Sequence, residues 1–242
     1  MPTLKFRLHG HRPDPRPIQL VIPGWGGEQQ PRADGSHEQP WHCTPFSESA
    51  RYGVEILYPF EEELRVTTPR GRVRLDANWG PPVDPDMMWP PFRPFGEDFY
   101  SYQLSLDLEA PAGWAIRTEP HPRYYTDPTN TTPLAVPALI RTDWWPMTFF
   151  CIFKAPPKGV THVFRKGEPF MSVILIPADP DLELTPMSEE EAAERELRAR
   201  RLAASRDALA QSTRWLSSTN TVFDGSYRHM FRAAKAKAAR TD

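Results

Sequence analysis

An antiparallel β-sandwich, jelly-roll-like and followed by C-terminal helices, is the fold this sequence predicts, on three observations. Proline is heavily used, 29 residues in 242, and a residue without a backbone donor belongs at strand edges, turns and helix starts. Its spread from Pro2 to Pro186 implies many short strands joined by proline-rich loops. The densest apolar stretch, Arg141 to Pro177, reads as three short strands with breaks set by Pro146, Pro156-Pro157 and Gly167. After Pro186 the composition turns to Ala, Leu, Arg and Glu, all good helix formers.

The remaining composition narrows the function classes. A formal net charge of −2 gives the molecule no electrostatic case for nucleic acid or an anionic membrane. Cys43 and Cys151 are too few for a disulfide framework, so two reduced thiols in a cytoplasmic protein are expected. Met1 to Gly10 lacks the apolar core of a signal peptide, and no apolar run approaches the ~20 residues of a membrane span. Without a secretory signal, the sequon Asn130-Thr131-Thr132 is read as chance.

Along the chain, Leu4 to His9 and Ile18 to Pro23 read as short edge strands, with Leu4, Phe6 and Leu8 on the buried side of the first. Gly24 to Pro40 is loop by composition, either a mobile segment or one that folds over something as a lid. Trp41 to Phe46 opens a second ordered stretch, followed by a strand at Val54 to Tyr58. Leu64 to Thr67 and Val73 to Leu75 flank Pro69-Arg70-Gly71, a hairpin signal. Asn78 to Phe95 is too proline-dense for a helix or a central strand. Tyr100 to Leu108 alternates without a fault: Tyr100, Tyr102, Leu104, Leu106 and Leu108 inward, Ser101, Gln103, Ser105 and Asp107 outward. Gly113 to Thr118 needs a pairing neighbour, and His121 to Pro137 reads as a polar loop.

Ser188 and Glu191 form a capping-box signature for a helix running to about Ser217. Leu202, Leu209 and Leu216 repeat every seven residues along it, a narrow seam that could pack back on the sheet or join two copies in a homodimer. A shorter helix is expected from Tyr227 to Lys237. The domain division is therefore 1–186 for the sandwich and 187–242 for a helical extension packed on it.

Several constellations bear on chemistry. His9 and His11 have the H-x-H spacing that puts two imidazoles on one face of a strand, and with His42 and His121 they are the candidate metal ligands. Cys43 follows His42 directly, but neighbours on an extended segment point apart. A catalytic thiol would need His121 or His162 brought to it, and burial as packing is the default for a free cysteine. Arg141, Asp143 and Trp144 read as the start of a strand, with Arg141 and Asp143 on one face as an ion pair or the floor of a pocket. Trp79, Trp89, Trp114, Trp144 and Trp145 could wall an aromatic or sugar ligand, with core packing the plainer reading. Lys166 and Glu168 lie in a charged turn. No G-x-G-x-x-G, Walker loop, G-x-S-x-G, paired C-x-x-C or H-E-x-x-H occurs, and neither does the H-x-D dyad of iron oxygenases.

Three pieces together resemble an uncharacterised bacterial and phage domain family. They are Cys43-Thr44-Pro45 with Gly53 and Ile56 to Pro59, Thr142-Asp143-Trp144 with Pro146 to Phe150, and Phe164-x-Lys166-Gly167-Glu168-Pro169-Phe170. The resemblance covers Trp41 to Pro177. It departs at Arg141, where the family often has Glu, and at Asp127 to Asn130, where the family tends to have an Asn-Pro-rich turn. It implies a domain and no activity.

The resulting expectation is a cytoplasmic domain that binds a small molecule or peptide, as an accessory in a biosynthetic pathway. Its ligand residues would be Arg141, Asp143, Trp144, Trp89, Cys43, Lys166 and Glu168. The alternative is an iron-dependent oxygenase on a double-stranded β-helix, using the four histidines. No particular cofactor follows from the sequence.

Overall fold

A computed structural model describes residues 2–10, 12–20, 40–78, 90–104, 106–179, 181–216 and 222–239. The chain divides into two compact units, Met1–Val21 with Glu48–Pro180 and Ile22–Ser47 with Asp181–Asp242. The elements begin with β1 (Lys5–Leu8), β2 (Arg16–Pro17), the short helix α1 (Thr44–Ser49), β3 (Val54–Leu57), β4 (Leu64–Thr67) and β5 (Arg74–Asp76). Next come β6 (Phe92–Phe95), β7 (Phe99–Gln103), β8 (Leu106–Glu109) and β9 (Trp114–Pro120). One helical turn, α2 (Arg123–Thr126), leads to β10 (Leu134–Ala135), β11 (Ala138–Ile140), β12 (Phe150–Lys154), β13 (His162–Phe164) and β14 (Pro169–Pro177).

In the first unit the sheets have the orders β1-β8, β10-β12-β7-β6, β11-β9-β14-β3-β2 and β13-β4-β5. Every pairing is antiparallel. Each sheet keeps two edges, so the architecture is an open sandwich and not a closed barrel. Proline sits where a missing donor does least harm: Pro17 and Pro94 on outermost strands, Pro120, Pro169 and Pro177 at strand ends.

One aromatic core joins the sheets. Phe92 stacks on Tyr102 with ring centroids 4.6 Å apart, and Tyr100 stacks on Phe153 at 5.2 Å. The Phe164 ring meets Phe92 edge-on at 5.0 Å and Phe153 edge-on at 5.6 Å. All five side chains are fully buried, and each contributes about 2–3 kcal/mol through the apolar surface it removes from water.

Some expectations change. Tyr100 to Leu108 is two strands: β7 pairs with β6 and β12, the chain breaks at Leu104, and β8 pairs with β1. All five inward residues are buried, because the two strands flank one core, but Ser101 is buried as well at 1% exposure. Phe6 pairs with inward Leu108 and so keeps the inner face of β1, but its side chain is 47% exposed rather than buried. His121 to Pro137 is more than loop, since it holds α2 and β10. Gly24 to Gln39 lies outside the described residues.

In the second unit, α3 (Glu189–Thr213) starts on the expected capping box: Glu191 N–H donates to Ser188 Oγ at 3.2 Å, and Ser188 N–H to Glu191 Oε2 at 2.8 Å. The helix is shorter than expected. Arg214 turns to extended backbone, so Leu216 falls in β15 (Arg214–Leu216), which pairs with β16 (Val222–Asp224) before α4 (Ser226–Ala238). The seven-residue seam therefore ends at Leu209. No residue of α3 is buried, and Leu202 is 49% exposed. No described helix is long and apolar enough to cross a membrane.

Candidate functional site, a cationic cleft

A cleft of about 1030 Å³ opens in the first unit, and four separate stretches of chain wall it. The first is the tip of the β4–β5 hairpin, where Arg70 and Gly71 take left-handed backbone angles (φ 55° and 75°) to reverse the chain. The second leaves β12 as Lys154-Ala155-Pro156-Pro157-Lys158 and returns at His162. The third is Asp98-Phe99 at the start of β7, and the fourth brings Tyr124 of α2 and Leu134 of β10.

Backbone geometry holds these walls together. Thr68 Oγ1 donates to the Pro156 carbonyl at 2.6 Å, clamping the hairpin tip to the proline loop. Ala155 N–H donates to the Asp98 carbonyl at 2.8 Å, extending the β7–β12 ladder into the cleft. Val163 N–H donates to the Thr131 carbonyl at 2.8 Å and so ties the segment between α2 and β10 to β13. That segment is itself organised by Asp127, whose carboxylate accepts the amides of Thr129, Thr131 and Thr132 at 2.8, 3.0 and 2.9 Å. Burial works against the charged carboxylate, but these hydrogen bonds prevail and hold its pKa far below the ordinary range.

The lining is cationic and aromatic. Arg70, Lys154 and Lys158 face one carboxylate, Asp98. Phe99, Tyr124, Leu134, Pro156 and Pro157 supply apolar surface. His162 is buried, its Nδ1 lies 2.9 Å from the Tyr100 hydroxyl, and burial lowers its pKa to about 4, so the imidazole is neutral at physiological pH.

The residues singled out from sequence lie elsewhere. Arg141, Asp143 and Trp144 are not on a strand but in a turn closed by Trp145 N–H donating to the Arg141 carbonyl at 3.0 Å. Arg141 bridges Asp143 and Asp179, both at 2.9 Å, and Trp144 is 67% exposed. Lys166 pairs with Glu61, and Glu168 with Arg123 at 2.9 Å. Their turn also holds the fold, because Gly167 N–H donates to the Tyr58 carbonyl and Tyr58 N–H to the Glu168 carbonyl, each at 2.9 Å, continuing the β3–β14 pairing. Cys43 is exposed beside the start of α1, not buried on an extended segment. Trp89 lies outside the described residues.

The candidate metal ligands are not brought together. His9 follows the end of β1 in a bend, so the H-x-H pair is not carried on a strand, and its Nε2 pairs with Asp107 at 2.9 Å. His121 is buried with both nitrogens taken: Nε2 donates to Glu55 Oε2 at 3.0 Å, and Nδ1 accepts from Arg123 N–H at 3.0 Å. That leaves it no lone pair for a metal or for base catalysis. His11 and the His42 side chain lie outside what is described, and no group of three His, Cys, Asp or Glu among the described residues could hold a metal ion.

Of the cleft residues, sequence reasoning raised His162 as a partner for a thiol, Arg70 and Gly71 as part of a turn, and Pro156-Pro157 as a strand break, none of them as a ligand site. The one local signal was a Pro-Pro pair flanked by Lys154 and Lys158. No family model matches the chain, and no curated protein matches it.

Proposed function

We propose that this is a small-molecule-binding β domain whose ligand occupies the cationic cleft. The observation that carries the reading is the lining itself: an apolar and aromatic surface with a few convergent polar groups, in a cleft at the upper end of the ~300–1,000 Å³ usual for ligand sites. The unpaired thiols Cys43 and Cys151 support a reducing, cytoplasmic setting. A service role beside a biosynthetic enzyme, delivering or sensing a metabolite, fits a binding domain.

The test is a fragment screen by amide NMR on the full chain, with anionic, neutral and cationic aromatic fragments. Saturable shifts at Lys154, Lys158, Phe99 and Leu134, with none at Trp144, are expected. A screen with no saturable cleft shift rejects the reading.

A second reading concerns α3, which has no buried residue and exposes Leu197 and Leu202. A second copy of the helix would cover them. Sedimentation velocity over a concentration series should then reveal a dimer, and a monomer at every concentration rejects it.

A further inference from the structure

The state of one ring sets what the cleft can recognise. The Tyr100 side chain is fully buried, and His162 Nδ1, 2.9 Å away, is the hydrogen-bond partner of its hydroxyl. Burial raises the phenol pKa well above its ordinary value, so the hydroxyl keeps its proton. A buried O–H that gives its proton to nothing is costly, and Nδ1 is the acceptor within reach. Neutral imidazole carries a single N–H. With Nδ1 accepting and the ring neutral, the proton resides on Nε2, the nitrogen Tyr100 does not occupy, and His162 lines the cleft.

Around that donor the charge is one-sided. No described carboxylate lies within ion-pair distance of Arg70, Lys154 or Lys158. Against Asp98 these three cations leave the lining at a formal +2, three minus one. Phe99 and Tyr124 remain partly exposed and offer ring surface to a flat body.

We propose that the cleft ligand carries a carboxylate or phosphate on an aromatic body, that His162 receives the anion as a neutral donor, and that Tyr100 is its positioning residue. This rests on the small-molecule reading above and narrows it to one ligand class. A neutral donor avoids a buried cation when the cleft is empty, while the lysines at the rim supply attraction and faster encounter.

The experiment uses isotope-labelled full-length protein and four probes: phenyl phosphate, benzoate, benzyl alcohol and benzylamine. The imidazole nitrogen shifts of His162 should report protonated Nε2 and unprotonated Nδ1 from about pH 5.5 to 8. Phenyl phosphate and benzoate should move His162 Nε2, Lys154 and Lys158 and bind about tenfold or more tighter than benzyl alcohol, weakening with salt. Benzylamine should be the poorest probe. In Tyr100→Phe the tautomer should become mixed and benzoate affinity should drop several-fold, with benzyl alcohol unchanged. If that variant does not fold, Lys158→Gln, which changes a rim residue, should still lower anion affinity several-fold.

A His162 ring protonated on Nδ1 overturns the proposal. So does cleft binding in which neutral or cationic probes match the anions, an outcome that leaves the small-molecule reading standing. Absence of cleft shifts with all four probes overturns the proposal, and absence with the wider fragment set rejects the small-molecule reading as well.

Discussion

Glu55 on β3 and His121 after β9 form a pair closed to solvent, with Glu55 Oε2 3.0 Å from His121 Nε2. Arg16 completes the charge balance at 2.5 Å from Oε1, and Gln19 N–H donates to Oε2 at 3.1 Å. Burial alone would raise the Glu55 pKa, but the bonds from His121, Arg16 and Gln19 outweigh it and leave the carboxyl below its usual value. A depressed carboxyl stabilises the fold above the unfolded-state pKa, and this contribution is lost as pH falls through the folded one. Glu55→Leu should cost about 3–5 kcal/mol, because it strands His121 and Arg16 without their acceptor. Urea melts at neutral pH test this; a loss under about 1 kcal/mol would contradict it.

Gly53 is required by contact as well as by conformation. At φ 111° a Cβ would strike the Val173 carbonyl oxygen and come within 2.8 Å of Ile174 Cγ2. Gly53→Ala should therefore cost about 3 kcal/mol or more. Gly113, at φ 77° with nothing within 4 Å of its Cβ position, is the control, and alanine there should cost only the ~1–2 kcal/mol of left-handed backbone. Equal losses at the two sites would show that the close approach to β14 is unimportant.

Asp127 acts on the cleft through Thr131 and Val163. Asp127→Ala should lower stability by about 2–3 kcal/mol, since three amides and their threonine hydroxyls lose a charged acceptor. Hydrogen exchange at the Val163 amide should speed up more than at Val173, deep in β14. Uniform acceleration across both sheets would reject the local role.

His162 makes stability depend on pH. Its folded pKa is depressed from 6.5 to about 4, so below 6.5 the unfolded chain takes up a proton that the folded chain refuses. Stability is complete above that value and falls as pH drops toward 4, by up to about 3 kcal/mol. His162→Gln should flatten that segment of the stability–pH curve while leaving the acid limb from Glu55 and Asp127. An unchanged slope between about pH 4 and 6.5 would contradict the assignment.

The readable parts of the fold were those with local causes. Pro69-Arg70-Gly71 marked the β4–β5 hairpin, and Ser188 with Glu191 marked the start of α3, because turn and cap chemistry sit within four residues of their effect. The break between β7 and β8 was invisible. Inward alternation from Tyr100 to Leu108 continues across it, since both strands face one core while their hydrogen-bond partners change. Arg141 and Asp143 showed the i, i+2 spacing of a strand face, but a turn brings the same two residues together just as well. The cleft was illegible for a different reason: Arg70, Phe99, Tyr124 and His162 come from distant segments, and only sheet order collects them.

The two thiols form a natural clock. Cys43 is open to solvent, whereas Cys151 is sealed in β12 and its ionisation is suppressed by burial. A thiol reagent added to native protein should modify one sulfur promptly and wait for the second until the β7–β12 ladder parts. The lag between the two would time the opening of the aromatic core, molecule by molecule, without a dye or a mutation.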